Sequence, residues 1–202
     1  AEMCGNAALC STRLAAHLAM VAPGEFCLMT DAGTVGARAS EADRAEIRLP
    51  DFEVPREVPG LVAGDGERWL GFATVGVPHL VVRVDDIEAV DLLGRGRALR
   101  FEPRVGPAGA NVNFVAPPAE ADGPWLIRTY ERGVEGETLA CGTGTVAAGV
   151  ALAVRGEAGL PVRFRSRGGL ELLVRAVVDR GRAGDVWLGG QGRLVFRGVY
   201  QG

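Results

Sequence analysis

Short apolar runs separated by turns rich in Gly, Pro and Asp recur along most of the chain, and this pattern predicts many short strands. We predict strands over residues 26–30, 36–39, 41–49, 69–75, 79–84, 111–115, 125–132, 162–166, 170–178, 185–188 and 194–200. The Gly168-Gly169 and Gly189-Gly190 pairs are typical of hairpin turns, so each pair is expected to join two strands.

Two Ala-rich segments interrupt the strand pattern and predict helices. The first covers residues 1–21, where Leu14 and Leu18 recur at helical spacing, and the second covers residues 141–155. A third helix is predicted over residues 85–93, and the stretch that follows it predicts no helix.

Many short strands around a few helices indicate the α+β class. We predict two lobes, each a mostly antiparallel sheet wrapped around a central helix, with the active site in the cleft between them. A stretch rich in Pro, Gly and acidic residues predicts a boundary between an N-terminal lobe at 1–49 and a C-terminal lobe at 50–191. The first lobe is too short to bury its helix alone, so we expect it to be incomplete, with further strands preceding Ala1.

Each long helix is predicted to begin at a Cys-Gly-polar turn, Cys4-Gly5-Asn6 in the first and Cys141-Gly142-Thr143 in the second. A helix N-terminus has unpaired N–H groups and partial positive charge, which lower the pKa of a thiol there and bind carboxylates. Two such turns facing each other would place the Cα of an amino acid between two sulfurs. The chemistry that fits is inversion at Cα, in which a thiolate removes one proton and a thiol returns another from the opposite face.

The other cysteines, the histidines and the basic residues limit the possible classes of function. Cys10 and Cys27 lie among apolar neighbours and are interpreted as structural, because a lone free cysteine is usually inert. With no C-x-x-C pair and only His17 and His79 as histidines, the sequence predicts no metal site and free thiols in a reducing cytoplasm. All 22 basic residues are Arg, so we expect amino-acid chemistry without pyridoxal phosphate, which is held on a lysine.

Charge and hydropathy favour a small-molecule partner. The net charge of −3 over 202 residues does not indicate nucleic-acid binding. No apolar run approaches the roughly 18 residues of a membrane span. We therefore predict an amino-acid substrate, with no nucleic acid and no membrane as partner.

Four segments of the chain resemble, in order, signature segments of the diaminopimelate epimerase family. They are Met3-Cys4-Gly5-Asn6, Gly76-Val77-Pro78-His79, Asn111-Val112-Asn113-Phe114-Val115, and Tyr130-Glu131-Arg132-Gly133 followed by Glu137-Thr138-Leu139-Ala140-Cys141-Gly142-Thr143-Gly144. The resemblance implies a cofactor-independent epimerase that interconverts LL- and meso-diaminopimelate in lysine biosynthesis. It also implies that the two lobes are pseudo-symmetric and that a last strand at 192–202 returns to the first lobe.

The resemblance implies roles for individual residues as well. Cys4 and Cys141 would be the catalytic acid/base pair, and His79 and Glu131 would influence their protonation. The substrate would be bound by Gly5, Asn6, Asn111, Glu131, Arg132, Gly142 and Thr143. The protein implied is a cytoplasmic homodimer.

Two departures from the family pattern keep other functions open. Val77 stands where the family usually has an Asn that contacts the distal end of the substrate, and Leu9 stands where it usually has Arg. One alternative is a racemase or epimerase of the same fold that acts on another amino acid, such as a proline derivative. The other alternative is a non-catalytic binding protein, or a fragment, on this fold.

Overall fold

The computed structural model describes residues 4–31, 33–39 and 43–199. The parts of predicted elements at 1–3, 32, 40–42 and 200–202 lie outside the described residues. The described chain forms three α-helices, which are α1 (Gly5–His17), α2 (Leu92–Arg100) and α3 (Gly142–Val154). None of these described helices is both long enough and apolar enough to cross a membrane.

Strands make up most of the remaining regular structure, as the alternating pattern predicted. The described residues form β1 (Glu25–Thr30), β2 (Gly33–Ala39), β3 (Arg44–Leu49), β4 (Phe52–Glu53), β5 (Glu67–Val75), β6 (Val77–Val84), β7 (Asn111–Ala116), β8 (Trp125–Glu131), β9 (Gly136–Thr138), β10 (Val162–Ser166), β11 (Glu171–Asp179) and β12 (Arg182–Gln191). The two shortest, β4 and β9, were not predicted, because two or three residues show no alternation.

All these strands belong to one mixed sheet with the order β1-β2-β3-β12-β11-β10-β8-β7-β6-β5, while β4 pairs with β12 and β9 pairs with β8. Neighbours are antiparallel except for β6 with β7 and β8 with β10, which are parallel. This mixed sheet with few helices confirms the α+β class. The lobe boundary at residue 49 stays a prediction, and the β3–β12 pairing joins the two segments it would separate.

The sheet curves around α3, which contacts β5, β6, β7, β11 and β12. This helix is apolar on every side, and its residues from Gly144 to Leu152 are all buried. A helix without a polar face is stable only inside a core, so α3 is one of the two central helices that the sequence predicted.

Helix α1 packs less completely and through a different face from the one expected. Its buried residues are Ala8, Leu9 and Thr12, whereas Leu14 and Leu18 are 43% and 56% exposed. The predicted hairpin at Gly189-Gly190 was wrong, because both glycines lie inside β12. A Cβ atom at Gly190 would lie 2.9 Å from Leu9 Cδ1, so this glycine gives the helix room against the sheet.

Two further predictions fail. Helix α2 shares only Leu92 and Leu93 with the helix predicted over residues 85–93, and residues 85–91 are not helical. The rest of α2 lies where no helix was expected. Asp91 caps α2 by accepting a hydrogen bond from the Gly94 N–H at 3.0 Å. The predicted last strand is absent from its described part, since residues 192–199 form no strand and Phe196 is 85% exposed.

Candidate active site

Two cysteines occupy equivalent positions at the N-termini of α1 and α3. Cys4 and Cys141 are the N-cap residues, both with extended backbone, and neither side chain makes a capping hydrogen bond. Their carbonyl oxygens accept the first helical bonds, from Ala8 N–H at 3.0 Å and from Thr145 N–H at 2.9 Å. Both thiols therefore stand at a helix start without being used to cap it.

Both cysteines line one cavity of about 760 Å³. Every predicted site residue except His79 lines it, namely Cys4, Gly5, Asn6, Asn111, Glu131, Arg132, Cys141, Gly142 and Thr143. Segments far apart in sequence thus meet around one space large enough for an amino acid. Their functional roles stay predictions.

His79 lies behind the cavity wall and is fully buried on β6. Its Nε2 atom is 3.0 Å from the Thr143 hydroxyl, and that hydroxyl is 3.8 Å from Cys141 Sγ. Burial, helped by the positive charge of Arg132, lowers the pKa of His79 to about 3. His79 is therefore a neutral imidazole near pH 7, connected to one cysteine through Thr143.

The part of the cavity wall that carries Glu131 and Arg132 is held in place by Asn111. Asn111 Oδ1 accepts a hydrogen bond from the Arg132 backbone N–H at 2.8 Å, and this bond fixes the end of β8 beside β7. The turn after Arg132 is fixed from outside, since Glu135 bonds the Gly133 N–H at 3.0 Å and pairs with Arg100 of α2 at 3.1 Å. The unexpected helix thus braces the strand end that carries Glu131 and Arg132.

The electrostatics of Cys141 differ from the expectation for a helix N-terminus. Burial raises the pKa of the Cys141 thiol, and the negative charges of Glu131 and of an ionised Cys4 raise it further. The Gly144 backbone N–H and the Thr143 hydroxyl lower the pKa of this thiol, but burial outweighs them. The expectation of a lowered pKa was wrong for Cys141, and this thiol is favoured in its protonated form.

Part of the cavity wall was not predicted from the sequence. One wall comes from β2, β3 and the segment after β3, and it includes Arg48 and Asp51. No local motif marks these two residues, because their position depends on the pairing of β3 with β12. Asn113 was also missed, although residues two apart on a strand share a face, which places it beside Asn111. It does not line the cavity but lies behind the wall, 3.3 Å from His79 Nδ1.

Comparison with known proteins shows which family this chain resembles. The family model described as diaminopimelate epimerase matches residues 71–187. A diaminopimelate epimerase of Gemmatimonas aurantiaca is 41% identical over 209 residues, which cover 100% of this chain and 74% of the relative. One of Aquifex aeolicus is 39% identical over 201 residues, which cover 98% of this chain and 69% of the relative.

Solved structures with the same fold are more distant in sequence. A hydroxyproline epimerase of Agrobacterium vitis, with bound trans-4-hydroxy-L-proline, is 21% identical with a TM-score of 0.64, and the match covers 91% of this chain and 62% of that one. A phenazine biosynthesis protein of the PhzF family from Bacillus anthracis is 10% identical with a TM-score of 0.72, covering 95% and 73%. These two likenesses concern the fold alone. The family model and the close relatives together show that this chain belongs to the diaminopimelate epimerase family, a family of isomerases.

Proposed function

We propose that the protein interconverts LL- and meso-diaminopimelate in lysine biosynthesis, by two-base proton transfer between Cys4 and Cys141. The observation that carries this proposal is the pair of cysteine N-caps, at the starts of two helices, that line the same cavity. Family membership supports the choice of substrate.

The proposed reaction needs one thiolate and one thiol. The thiolate takes the proton from Cα, and the electron pair of that C–H bond stays on Cα and its carboxylate. The thiol on the opposite face gives its proton to that pair, which inverts Cα and exchanges the states of the two cysteines. Burial favours the protonated form of Cys141. When the reaction starts with Cys141 protonated, Cys4 acts as the base and Cys141 as the acid.

The helix N-termini supply the electrostatic stabilisation. Negative charge develops on the substrate carboxylate as the proton leaves, and N–H groups that follow Cys4 and Cys141 are fixed in place beforehand. Gly5, Asn6, Gly142 and Thr143 line the cavity at these positions. Asn111, Glu131 and Arg132 are the groups proposed to bind the distal end, where a guanidinium suits a carboxylate.

The proposal includes the setting of the enzyme. The reaction uses no cofactor, since both bases are protein thiols. Thiols must stay reduced to act, which supports a cytoplasmic location. The family resemblance supports a homodimer, and sedimentation of the purified protein distinguishes a dimer from a monomer.

Deuterium exchange tests the proposed function. The full-length protein in D₂O, without added cofactor, is expected to introduce deuterium at the α-carbon of LL-diaminopimelate. Cys4→Ala and Cys141→Ala are each expected to lower kcat by about 10²–10⁴-fold, the usual contribution of a general acid or base. Cys10→Ala and Cys27→Ala are matched controls, since both cysteines are exposed and absent from the cavity wall. Unchanged exchange in either site variant would exclude this mechanism.

One observation favours a second candidate function. Val77 lines the cavity at the position where an Asn was expected to bind the distal end of the substrate. An apolar residue there suits a more compact amino acid, such as a proline derivative. Turnover of proline or hydroxyproline, with none of diaminopimelate, would replace the first proposal with this one.

A further inference from the structure

A chain of hydrogen bonds runs behind the cavity wall and ends at Cys141. The Thr129 hydroxyl is 3.0 Å from Asn113 Oδ1, and Asn113 Nδ2 is 3.3 Å from His79 Nδ1. His79 Nε2 is 3.0 Å from the Thr143 hydroxyl, which is 3.8 Å from Cys141 Sγ. Thr129, Asn113 and His79 are all buried, so water does not compete for the bonds among these three residues.

The direction of this chain follows from one carbonyl group. Asn113 Nδ2 is also 3.3 Å from the Leu80 carbonyl oxygen, which can only accept a hydrogen bond. The Leu80 carbonyl therefore fixes the Asn113 amide with its NH₂ group toward His79. The Thr129 hydroxyl then donates to Asn113 Oδ1, which agrees with the same orientation.

The orientation of Asn113 determines the tautomer of His79. Facing an NH₂ donor, Nδ1 of His79 must accept, so the ring hydrogen lies on Nε2. Nε2–H then donates to the Thr143 oxygen, and the hydrogen of that hydroxyl is left to point at Cys141 Sγ. With the other tautomer, Nε2 would accept from Thr143, and Cys141 would lose this donor.

Packing around Asn113 supports a defined position for its side chain. It lies directly beneath the first turn of α3, where a Cβ atom on Gly144 would overlap Asn113 Oδ1. The Gly144 backbone N–H also lowers the pKa of the Cys141 thiol. The absence of a side chain at residue 144 thus lets the helix that carries Cys141 sit on the amide.

We propose that Asn113 is a positioning residue, which fixes His79 in the Nε2–H tautomer so that the Thr143 hydroxyl donates to Cys141 Sγ. This donor offsets the burial of Cys141 when the sulfur carries negative charge. The catalytic consequence rests on the proposed function, whereas the tautomer and the hydrogen bond do not.

Nitrogen NMR of the full-length protein tests the tautomer directly. The His79 signals are those that are lost in His79→Gln and kept in His17→Gln. At pH 7 we expect His79 Nε2 to carry the hydrogen and Nδ1 to carry none. A hydrogen on Nδ1 in the wild-type protein would overturn the proposal.

Two substitutions test the control by Asn113. Asn113→Asp keeps the shape but can only accept from the ring, so we expect Nδ1 to become protonated and the alkaline alkylation profile of Cys141 to move to higher pH. Asn113→Ala removes the amide that fixes the His79 tautomer and adds no charge. We therefore expect His79 signals averaged over the two tautomers. The alkylation profile of Cys141 should move to higher pH by less than in Asn113→Asp. In both variants kcat is expected to fall at least tenfold, with KM changed less than threefold.

Thr12→Val is the matched control for a buried polar change. The Thr12 hydroxyl bonds Ala8 O at 2.7 Å inside α1, and it takes no part in the chain behind the cavity. An unchanged ring tautomer or an unchanged Cys141 profile in folded Asn113→Asp and Asn113→Ala would overturn the proposal. If the wild-type protein shows the tautomer and the thiol shifts but no exchange with diaminopimelate, the proposed function fails and the positioning role stands.

Discussion

His79 is fully buried, and burial disfavours the charged form of its imidazole ring. Its pKa is about 3 in the folded chain, against about 6.5 for an ordinary histidine. Between these values the unfolded chain binds a proton that the folded chain does not. Stability from this group is therefore complete above pH 6.5 and is lost as the pH falls toward 3.

The first prediction concerns this loss at mildly acidic pH. Lowering the pH from 7 to 5 is expected to reduce the free energy of unfolding by about 2 kcal/mol through His79 alone. Urea unfolding of wild-type protein and His79→Gln at both pH values measures it, since the variant should lack this part of the loss. His17→Gln, at an exposed position, is expected to keep the full loss. Equal pH dependence in wild type and His79→Gln would contradict the assignment.

A second prediction concerns the charge beside Cys141. The carboxylate of Glu131 raises the pKa of the Cys141 thiol, so Glu131→Gln is expected to lower that pKa and speed alkylation of Cys141 at neutral pH. Peptide mass spectrometry after timed iodoacetamide treatment separates Cys141 from the other cysteines. Asp51→Asn is the control, because Asp51 lines the same cavity but does not act on the Cys141 pKa. Equal acceleration in both variants would indicate a general effect of cavity charge.

At the scale of the elements, sequence patterns predicted the features that depend on residues near each other in the chain. Strand β10 alternates buried Val162 and Phe164 with exposed Arg163 and Arg165, so its faces were readable in advance. Strand β7 is buried on both faces and includes Asn111 and Asn113. A polar residue on a doubly buried strand can be interpreted only after its neighbours are known.

The cysteine turns and α2 show the same contrast. The N-cap positions of Cys4 and Cys141 followed from short motifs, because a helix start is a local event. Most of helix α2 was missed because Gly94 and Gly96 lower intrinsic helix propensity. Packing of this helix against the rest of the fold compensates for that loss, and the local sequence does not show it. Gly96 is buried, and a Cβ atom there would lie 2.8 Å from Tyr130 Cβ.

The third prediction follows from this contact. Gly96→Ala would raise helix propensity by about 1 kcal/mol. It is nevertheless expected to destabilise the protein by about 1–3 kcal/mol, because the added methyl group overpacks against Tyr130. Thermal unfolding measures the change. The control is Ala98→Gly on the exposed side of α2, which is expected to cost only the propensity term of about 1 kcal/mol. Stabilisation by Gly96→Ala would show that α2 does not sit tightly on β8.

For the whole molecule, the pairing of β3 with β12 determines whether the predicted lobes unfold in one transition. We call this β3–β12 pairing the seam between the predicted lobes. Across this seam the buried carboxylate of Glu46 on β3 accepts hydrogen bonds from Arg38 on β2 at 2.6 Å and from Arg175 on β11 at 3.2 Å. The Arg38 guanidinium also lies 4.3 Å above the ring of Trp187 on β12. One carboxylate thus ties together strands from both sides of the predicted boundary.

The last prediction is a single cooperative unfolding transition that depends on Glu46. In urea, tryptophan fluorescence and far-UV circular dichroism of the wild-type protein should report the same midpoint. Glu46→Gln is expected to lower the free energy of unfolding by about 1.5–3 kcal/mol, the usual worth of a hydrogen bond to a charged group. Glu25→Gln removes the other carboxylate that pairs with Arg38, and because Glu25 is 61% exposed, it should cost less than about 1 kcal/mol. Two separate midpoints would instead mean that the predicted lobes unfold independently across the seam.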